Sequence, residues 1–119
     1  MITLTLPFPP KELNPNNRAH WRRKHRIGKA QKAIGFIAAY KHRMRECTGD
    51  IALSLTFYPK DNRHRDSDNM LASMKNAIDG IALGLGVDDR QFTPVSASIG
   101  DKNPCNPCVI VQLTLAADL

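Results

Sequence analysis

Apolar and polar residues alternate along two stretches of the chain with the period of a β-strand. Residues 2–6 read Ile-Thr-Leu-Thr-Leu, and residues 51–58 read Ile-Ala-Leu-Ser-Leu-Thr-Phe-Tyr. Successive side chains of a strand point to opposite faces, so both stretches are predicted to be strands with one buried face. Pro7 and Pro59 follow them directly, and proline ends a strand because it cannot donate to the hydrogen-bond ladder.

Two other stretches repeat their apolar residues every three or four positions, which is typical of helices. The first covers residues 29–46, with apolar positions at Ala30, Ala33, Ile34, Ile37, Ala38 and Met44. The second begins at Ser67 or Asp68, either of which can cap a helix, and runs to about Leu83. Its apolar positions are Met70, Leu71, Met74, Ala77, Ile78, Ile81 and Leu85. Gly84 and Gly86 are predicted to end this helix.

The remaining segments complete an α+β arrangement. Residues 11–28 are polar and basic and are predicted to form a loop, and a loop of this length is more often functional than idle. Residues 93–99 and 108–115 are predicted to be the strands of a hairpin joined by residues 100–107. The order is therefore β-α-β-α-β-β, a mixed sheet with two helices packed on one face. A chain of 119 residues is expected to form one domain, 1–119.

The chain carries no apolar run near the roughly 18 residues that a membrane-spanning helix needs. Its first residues, Met1 to Leu6, lack the basic lead and long apolar block of a signal peptide. A cytoplasmic location without a membrane partner is expected.

Three cysteines, Cys47, Cys105 and Cys108, do not form the pattern of a disulfide scaffold. The spacing Cys105-x-x-Cys108 suggests a zinc site, but four ligands are required and no second such pair accompanies it. The alternative is a proline-rich loop with reduced thiols, and the sequence leaves the role of both cysteines open.

Positive charge is concentrated near the amino end of the chain. The net charge is +6, and from Arg18 to Arg45 there are ten Lys and Arg residues and no Asp or Glu. Such a segment can attract a polyanion through its long-range field, although a solvated basic face is the alternative. Trp21 lies among these cations, where it could stack on an unpaired base or cover the edge of the core.

An acidic cluster interrupts this basic chain. Asp66 and Asp68 follow Arg63 and Arg65, and a second acidic pair, Asp88 and Asp89, comes after the second predicted helix. Residues two apart in an extended segment point to the same side, and two carboxylates about 4 Å apart repel by roughly 4 kcal/mol at an effective dielectric near 20. A divalent cation such as Mg²⁺ reverses that repulsion, and its bound water can attack a phosphodiester.

A lysine fits the same scheme. Lys75 lies two helical turns after Asp68, so both side chains are predicted to emerge on one helix face, where an ammonium can neutralise a phosphate. Each residue also has a structural alternative: Asp68 as a helix cap, Lys75 and Asp79 as a surface ion pair, and Asp88-Asp89 as a turn. The spacing alone does not decide between a metal site and these alternatives.

Several short motifs follow one another in order across nearly the whole chain. They are Leu6-Pro7-Phe8-Pro9-Pro10, Asn16-Asn17-Arg18, Arg65-Asp66-Ser67-Asp68-Asn69, Lys75, Asp79-Gly80 and Gly86-Val87-Asp88-Asp89. Each motif is weak by itself, but the ordered set resembles the RusA-type Holliday junction resolvases, small endodeoxyribonucleases of bacteria and their prophages.

The resemblance implies a function in DNA recombination and repair. It implies a Mg²⁺-dependent homodimer, with Mn²⁺ as the alternative ion, that resolves four-way DNA junctions by paired symmetric nicks. A two-fold dimer matches a substrate with two-fold symmetry. The family's essential aspartates fall on Asp66, Asp68 and Asp89, with Asp88 as a neighbour that could also bind metal, and its catalytic lysine falls on Lys75. The residues expected to contact DNA are Arg18, Arg22, Arg23, Lys24, Arg26, Lys29, Lys32, Arg63, Arg65 and Asn69. No small-molecule cofactor is expected.

This sequence departs from the family pattern between Asn69 and Lys75, where it carries about three more residues than the shortest members, nearly one helical turn. The insertion shifts Lys75 along the helix axis. The alternatives to a resolvase are a non-catalytic DNA-binding module of the same fold and a metal-dependent nuclease for other branched or single-stranded DNA. The sequence does not determine a cleavage preference, the number of metal ions, or whether a dimer shares residues between its sites.

Overall fold

The computed structural model describes residues 1–44 and 47–115, which form a four-stranded sheet with helices on one face. The strands are β1 (Ile2–Pro7), β2 (Ile51–Tyr58), β3 (Phe92–Ile99) and β4 (Cys108–Leu115). The helices are α1 (Trp21–Tyr40), α2 (Ser67–Ser73) and α3 (Lys75–Leu85). The predicted α+β class with a mixed sheet is confirmed, and none of the described helices is long and apolar enough to cross a membrane.

The sheet has the strand order β1-β4-β2-β3. Strand β4 is antiparallel to both of its neighbours, and β3 is parallel to β2. One face of the sheet is apolar, because alternate residues of the two central strands, such as Leu55 and its partner Val111, are fully buried beneath the helices. The opposite face carries uncharged side chains, among them the paired Ser54, Ser96 and Gln112. The helices of the two crossovers, α1 between β1 and β2 and α2–α3 between β2 and β3, therefore lie on the same face of the sheet.

The predicted hairpin of the last two strands is wrong. Strand β4 lies between β1 and β2, whereas β3 lies at the outer edge beside β2. The connecting segment instead crosses the end of β2, where the Gly100 N–H donates to the Phe57 carbonyl at 2.8 Å and the Asn103 N–H donates to the Pro59 carbonyl at 2.6 Å. Burial explains the order, since β4 contributes Val109, Val111 and Leu113 to the core while β3 is mostly exposed.

Helix α1 begins within the stretch that was predicted to be a loop. The His20 side chain caps it by accepting the N–H of Arg22 at 3.1 Å. Its first turns are basic and exposed, so no apolar periodicity marks them in the sequence. The helix ends at Tyr40 rather than near residue 46, because the Met44 N–H donates to the carbonyl of Leu85 at 2.9 Å and the chain turns towards the end of α3. The last two residues of the predicted helix lie outside the described residues.

The buried face of α1 agrees with the predicted one only in part, since Ile34 and Ala38 pack against the core but are only half-buried. The helix buries Gly28, Gln31, Gly35 and Ala39, whereas Ile37 of the predicted apolar face is 73% exposed. Small residues occupy the contact because α1 and α3 run side by side with their backbones touching: a Cβ added to Gly35 would lie 2.1 Å from the Ala77 carbonyl oxygen. Glycine is the residue that allows two helix backbones to approach this closely.

The second predicted helix is divided into two. Met74 adopts φ −95° and ψ 0°, which ends α2 and begins α3. The Ser73 hydroxyl donates to the Asn69 carbonyl at 2.9 Å, and bonds of this kind bend helices. The cap of α2 is Asp66 rather than the predicted Ser67 or Asp68, and α3 ends at Gly86, which adopts φ +80°.

Candidate functional site

A groove of about 730 Å³ opens at the carboxyl ends of β1 and β2. These strands are parallel to each other because both pair antiparallel with β4, so the segments that follow them meet at one edge of the sheet. One wall consists of Phe8 to Lys11 with Asn14, Asn16 and Asn17, and the other of Lys60 and Arg63 to Asp66. Helix α2 contributes Asn69, Met70 and Ser73. Exposed cations, amides and one carboxylate therefore surround an apolar floor.

Arg65 lines this groove and connects its two walls through several contacts. Its side chain is only 10% exposed, pairs with Asp61 at 2.9 Å, donates to the carbonyls of Asp61 and Arg63, and lies 5.7 Å from the ring centre of Phe8. The Arg63 N–H and the Arg65 guanidinium lower the pKa of the Asp61 carboxyl, which keeps it ionised. Arg65 therefore holds the loop in place, whereas Arg63 is exposed and makes no ion pair within the described residues.

Asp66 and Asp68 lie together at the start of α2. One Asp66 carboxylate oxygen, Oδ1, accepts the N–H of Asp68 at 2.8 Å and that of Asn69 at 3.4 Å. The segment is therefore not extended through both residues as predicted, because Asp68 is already in the first turn of the helix. Both residues are exposed, and within the described residues neither Asp66 Oδ2 nor the Asp68 carboxylate has a hydrogen-bond partner. One unengaged oxygen of Asp66 and the carboxylate of Asp68 at the same helix start suit a hard divalent cation, since Mg²⁺ is commonly bound by one or two carboxylates and substrate phosphate.

Asp88 and Asp89 lie at the other end of the sheet. The predicted turn is confirmed: Asp88 caps a short 3-10 turn, Asp89–Gln91. The Gln91 side chain fixes this turn beside the start of β2 by donating to the Cys47 and Gly49 carbonyls, each at 3.0 Å. Phe92 follows and pairs with Ile51, the first residue of β2.

The acidic residues are consequently divided between two sites. Asp66 follows the carboxyl end of β2 and Asp89 lies at its amino end, so the length of the eight-residue strand separates them, on the order of 20 Å. Among residues 1–44 and 47–115, no three His, Cys, Asp or Glu side chains are arranged to hold a metal ion. The predicted three-aspartate cluster is not formed within one chain.

Asp88 is less available than its neighbour. Its carboxylate accepts the Arg90 N–H and guanidinium at distances from 2.9 to 3.3 Å. These contacts hold the pKa of Asp88 well below its ordinary value. Asp89 makes no comparable ion pair in the described chain, so it is the freer of the two carboxylates.

A second cavity of about 340 Å³ adjoins Asp88 and Asp89. Asp79 and Lys32 also line it, on α3 and α1 respectively. The sequence placed Lys32 with the DNA-binding cations and Asp79 in a surface pair, and no local spacing indicated that the two would meet here. Helix α3 brings them together because it runs alongside α1.

Lys75 lines neither cavity. It is exposed at the first position of α3, and the break at Met74 removes the continuous helix face on which its predicted alignment with Asp68 depended. It does not pair with Asp79 either, because the ion pairs found in the described ranges are Arg23–Glu12, Arg65–Asp61 and Arg90–Asp88. A catalytic role for Lys75 stays a prediction.

The basic residues before and within α1 are divided between structural and free roles. Arg23 pairs with Glu12 at 2.8 Å, and the Lys24 ammonium donates to the Asn17 carbonyl. The predicted DNA contacts of this segment that are exposed and make no ion pair within the described residues are Arg18, Arg22, Arg26, Lys29 and Lys32. Trp21 is 67% exposed, which excludes the alternative that it covers the edge of the core.

A protein of Xylella fastidiosa (strain Temecula1 / ATCC 700964), described only as an uncharacterized protein, is 40% identical over 96 residues, which are 77% of this chain and 63% of the relative. The chain therefore spans less than two thirds of the length of that relative. No family model matches the chain.

Proposed function

We propose that this protein is a Mg²⁺-dependent endodeoxyribonuclease of the RusA type, which acts as a homodimer and resolves four-way DNA junctions by paired symmetric nicks. The observation that carries the proposal is the groove at the carboxyl edge of the sheet, where Lys11, Lys60 and Arg63 lie beside Asp66. The cations attract phosphate and the carboxylate repels it. A divalent ion between carboxylate and phosphate removes that conflict.

The residues present suit this ion. Asp66 Oδ2 and the Asp68 carboxylate would hold Mg²⁺ at the start of α2, and the remaining ligands would be water and a DNA phosphate. When bound, such an ion activates a water molecule and stabilises charge on the phosphate. Arg63 and Asn69 would hold the neighbouring DNA, since both line the same groove.

Asp89 can join this site only from a second copy of the chain. Strand β3 is an edge strand that α2 packs against, with Val95 and Ile99 left 39% and 38% exposed. A two-fold arrangement about this edge sets the amino end of one β3, where Asp89 lies, beside the carboxyl end of the other, where α2 begins. We therefore propose that each active site combines Asp66 and Asp68 of one subunit with Asp89 of its partner.

The substrate is tested by incubating the purified protein with Mg²⁺ and three DNAs: a four-way junction, a fork and a linear duplex. We expect symmetric nicks in the two opposed strands of the junction and little cleavage of the duplex, because only a branched substrate offers the two-fold related strands that two active sites require. Cleavage is measured on denaturing gels with each strand labelled in turn. Equal cleavage of fork and junction would point instead to a nuclease for other branched DNA, and no cleavage with either Mg²⁺ or Mn²⁺ would contradict the proposal.

The sharing of acids between subunits is tested by mixing two inactive variants, Asp68→Asn and Asp89→Asn. In a shared site, each mixed dimer has one site with both substitutions and one with neither. Random exchange should therefore restore nicking to about a quarter of the wild-type sites. Refolding the variants together and separately, followed by single-turnover assays, measures this. If each site lies within one chain, the mixture stays as inactive as its components.

A second candidate function is a DNA-binding module without catalysis. The observation that favours it is that the described residues of one chain contain no group of three potential metal ligands. Such a module would bind four-way junctions equally well with and without Mg²⁺. Its affinity for the junction would also be unchanged when Asp68 is replaced, and it would cleave no DNA. The cleavage and binding assays therefore separate the two functions.

A further inference from the structure

We propose that Trp21 is a stacking platform for an unpaired base of the DNA strand that enters the groove. The inference rests on the proposed function, because it identifies how the same site holds a branched substrate. Its first support is exposure: the indole is 67% exposed, although it is the single tryptophan of the chain and α1 has a buried face available. Tryptophan is normally well buried, so its exposure here is a cost that folding alone does not explain.

The indole is held in place at the start of a helix. His20 caps α1 through its ring nitrogen, and its ring lies 5.7 Å from the Trp21 ring with 28° between their planes. The Arg22 guanidinium lies 5.2 Å from the centre of the indole. Aromatic rings flanked by arginine are the groups on which successive bases of single-stranded nucleic acid stack.

The platform lies close to the groove. Asn17 lines the groove and precedes Trp21 by four residues, a path of at most about 14 Å even for a fully extended chain. The Asn17 side chain accepts the N–H of Ala19 at 2.9 Å, so the connection is a turn and the separation is shorter than this limit. A base on Trp21 therefore continues into a strand whose phosphates can reach the cations of the groove.

The surrounding charge indicates DNA as the occupant. The three residues that follow Trp21 are Arg22, Arg23 and Lys24, and the sequence from Arg18 to Arg45 has no acidic residue. Glu12 pairs with Arg23 at 2.8 Å, so Arg22 and Lys24 supply the unbalanced positive charge beside the indole. Protein interfaces are depleted in lysine, whereas Lys24 and Lys29 accompany this tryptophan in the first turns of α1. A junction, when opened at its branch point, offers unpaired bases next to a dense row of phosphates, which matches this combination of indole and cations.

The proposal is tested with the tryptophan fluorescence of the protein, excited at the red edge of the absorption band where tyrosine does not absorb. This signal reports on Trp21 alone because the chain has no other tryptophan. Titration with a short oligothymidylate in the absence of divalent ions should quench this fluorescence in a saturable way. In parallel, the anisotropy of a labelled oligothymidylate measures affinity without relying on the indole. Trp21→Ala should weaken binding by about 5- to 150-fold, the loss expected for one stacked base. Trp21→Phe should retain most of the affinity, because a phenyl ring still stacks.

Tyr40→Ala is the matched control. Tyr40 is also an exposed aromatic residue of α1 with an arginine near its ring, Arg43 at 5.8 Å, but it lies at the opposite end of the helix from the groove. Its replacement should leave affinity within about twofold of the wild type.

The proposal is overturned if the oligonucleotide binds by anisotropy without quenching the indole, or if Trp21→Ala binds as tightly as the wild type. It is equally overturned if Trp21→Ala changes only the oligomeric state in sedimentation, which would place Trp21 in a protein interface. Failure of the nuclease proposal has a different signature: quenching and the Trp21→Ala defect would persist, while no junction is cleaved under any divalent ion.

Discussion

Asp68→Asn is expected to abolish junction cleavage, with a fall in the single-turnover rate on the order of a hundredfold or more, while the protein stays folded. Loss of a residue that merely supports a metal ligand already costs about 10- to 100-fold, and a ligand should cost at least as much. The substitution preserves size but removes the anionic oxygen that Mg²⁺ prefers. Asp68 is exposed and makes no hydrogen bond through its carboxylate in the described chain, so the fold does not depend on it.

Binding and catalysis should separate in this variant. Its affinity for a junction without metal should equal or exceed that of the wild type, since one negative charge near the phosphates has gone. Asp101→Asn serves as the control, because Asp101 is an exposed acid that lines neither cavity. The proposed metal site at the start of α2 would be contradicted if Asp68→Asn cleaved at the wild-type rate. It would also be contradicted if Asp68→Asn and Asp101→Asn lost the same fraction of the cleavage rate.

Gly80→Ala is expected to lower the free energy of unfolding by about 3 kcal/mol, near the upper end of overpacking costs. A Cβ at this position would lie 2.0 Å from the Lys32 carbonyl oxygen and 2.8 Å from its carbon, and both atoms belong to the backbone of α1. Helix propensity acts in the other direction, because alanine in a helix is favoured over glycine by about 1 kcal/mol. The cost of the steric clash with the α1 backbone should exceed the gain in helix propensity, because neither helix can move away without disturbing the core.

Urea denaturation followed by circular dichroism measures this difference. Gly49→Ala is the matched control, since an added Cβ there meets nothing within 4 Å, and its stability should change by no more than about 0.5 kcal/mol. A Gly80→Ala protein with an unchanged or higher urea midpoint would show that α1 and α3 are not in backbone contact. The position of the exposed cations of α1 relative to the second cavity would then need revision.

Strands and helices differed in how well the sequence predicted them. Strand β2 was predicted with its observed bounds, because one buried face and one polar face give a strict alternation. The start of α1 was missed because its first turns are basic and exposed, and a helix without a buried stripe there has no apolar period to detect. The buried face of α1 was predicted only in part for a related reason. Ile34 and Ala38 do pack against the core, but the closest contact with α3 is made by glycine, which carries no hydrophobic signal.

The candidate site was predicted in part. Asp66 and Asp68 meet at the start of α2 through a hydrogen bond from the Asp68 N–H to the Asp66 carboxylate, but only Asp66 lines the groove with the exposed cations. That both carboxylates hold one ion stays a prediction. The position of Asp89 was not foreseeable from sequence distance, because a helix pair that returns along a strand carries the chain to the opposite end of the sheet. Arg65 was expected to bind DNA but is engaged with Asp61, four residues before it, and with the ring of Phe8, which is distant in the sequence.

The sequence by itself determined the secondary structure of the strands nearest the core, the α+β class, and the presence of acids at the start of a helix in a basic chain. These are local properties. The period of an apolar pattern follows from the backbone geometry of one element, which has one face towards the core and one towards water. Only the tertiary structure decided that β4 separates β1 from β2, that glycines join α1 to α3, and that the acids occupy opposite ends of the sheet. Those outcomes depend on which surfaces meet over long sequence separations, where many pairings satisfy the same local pattern and packing selects one.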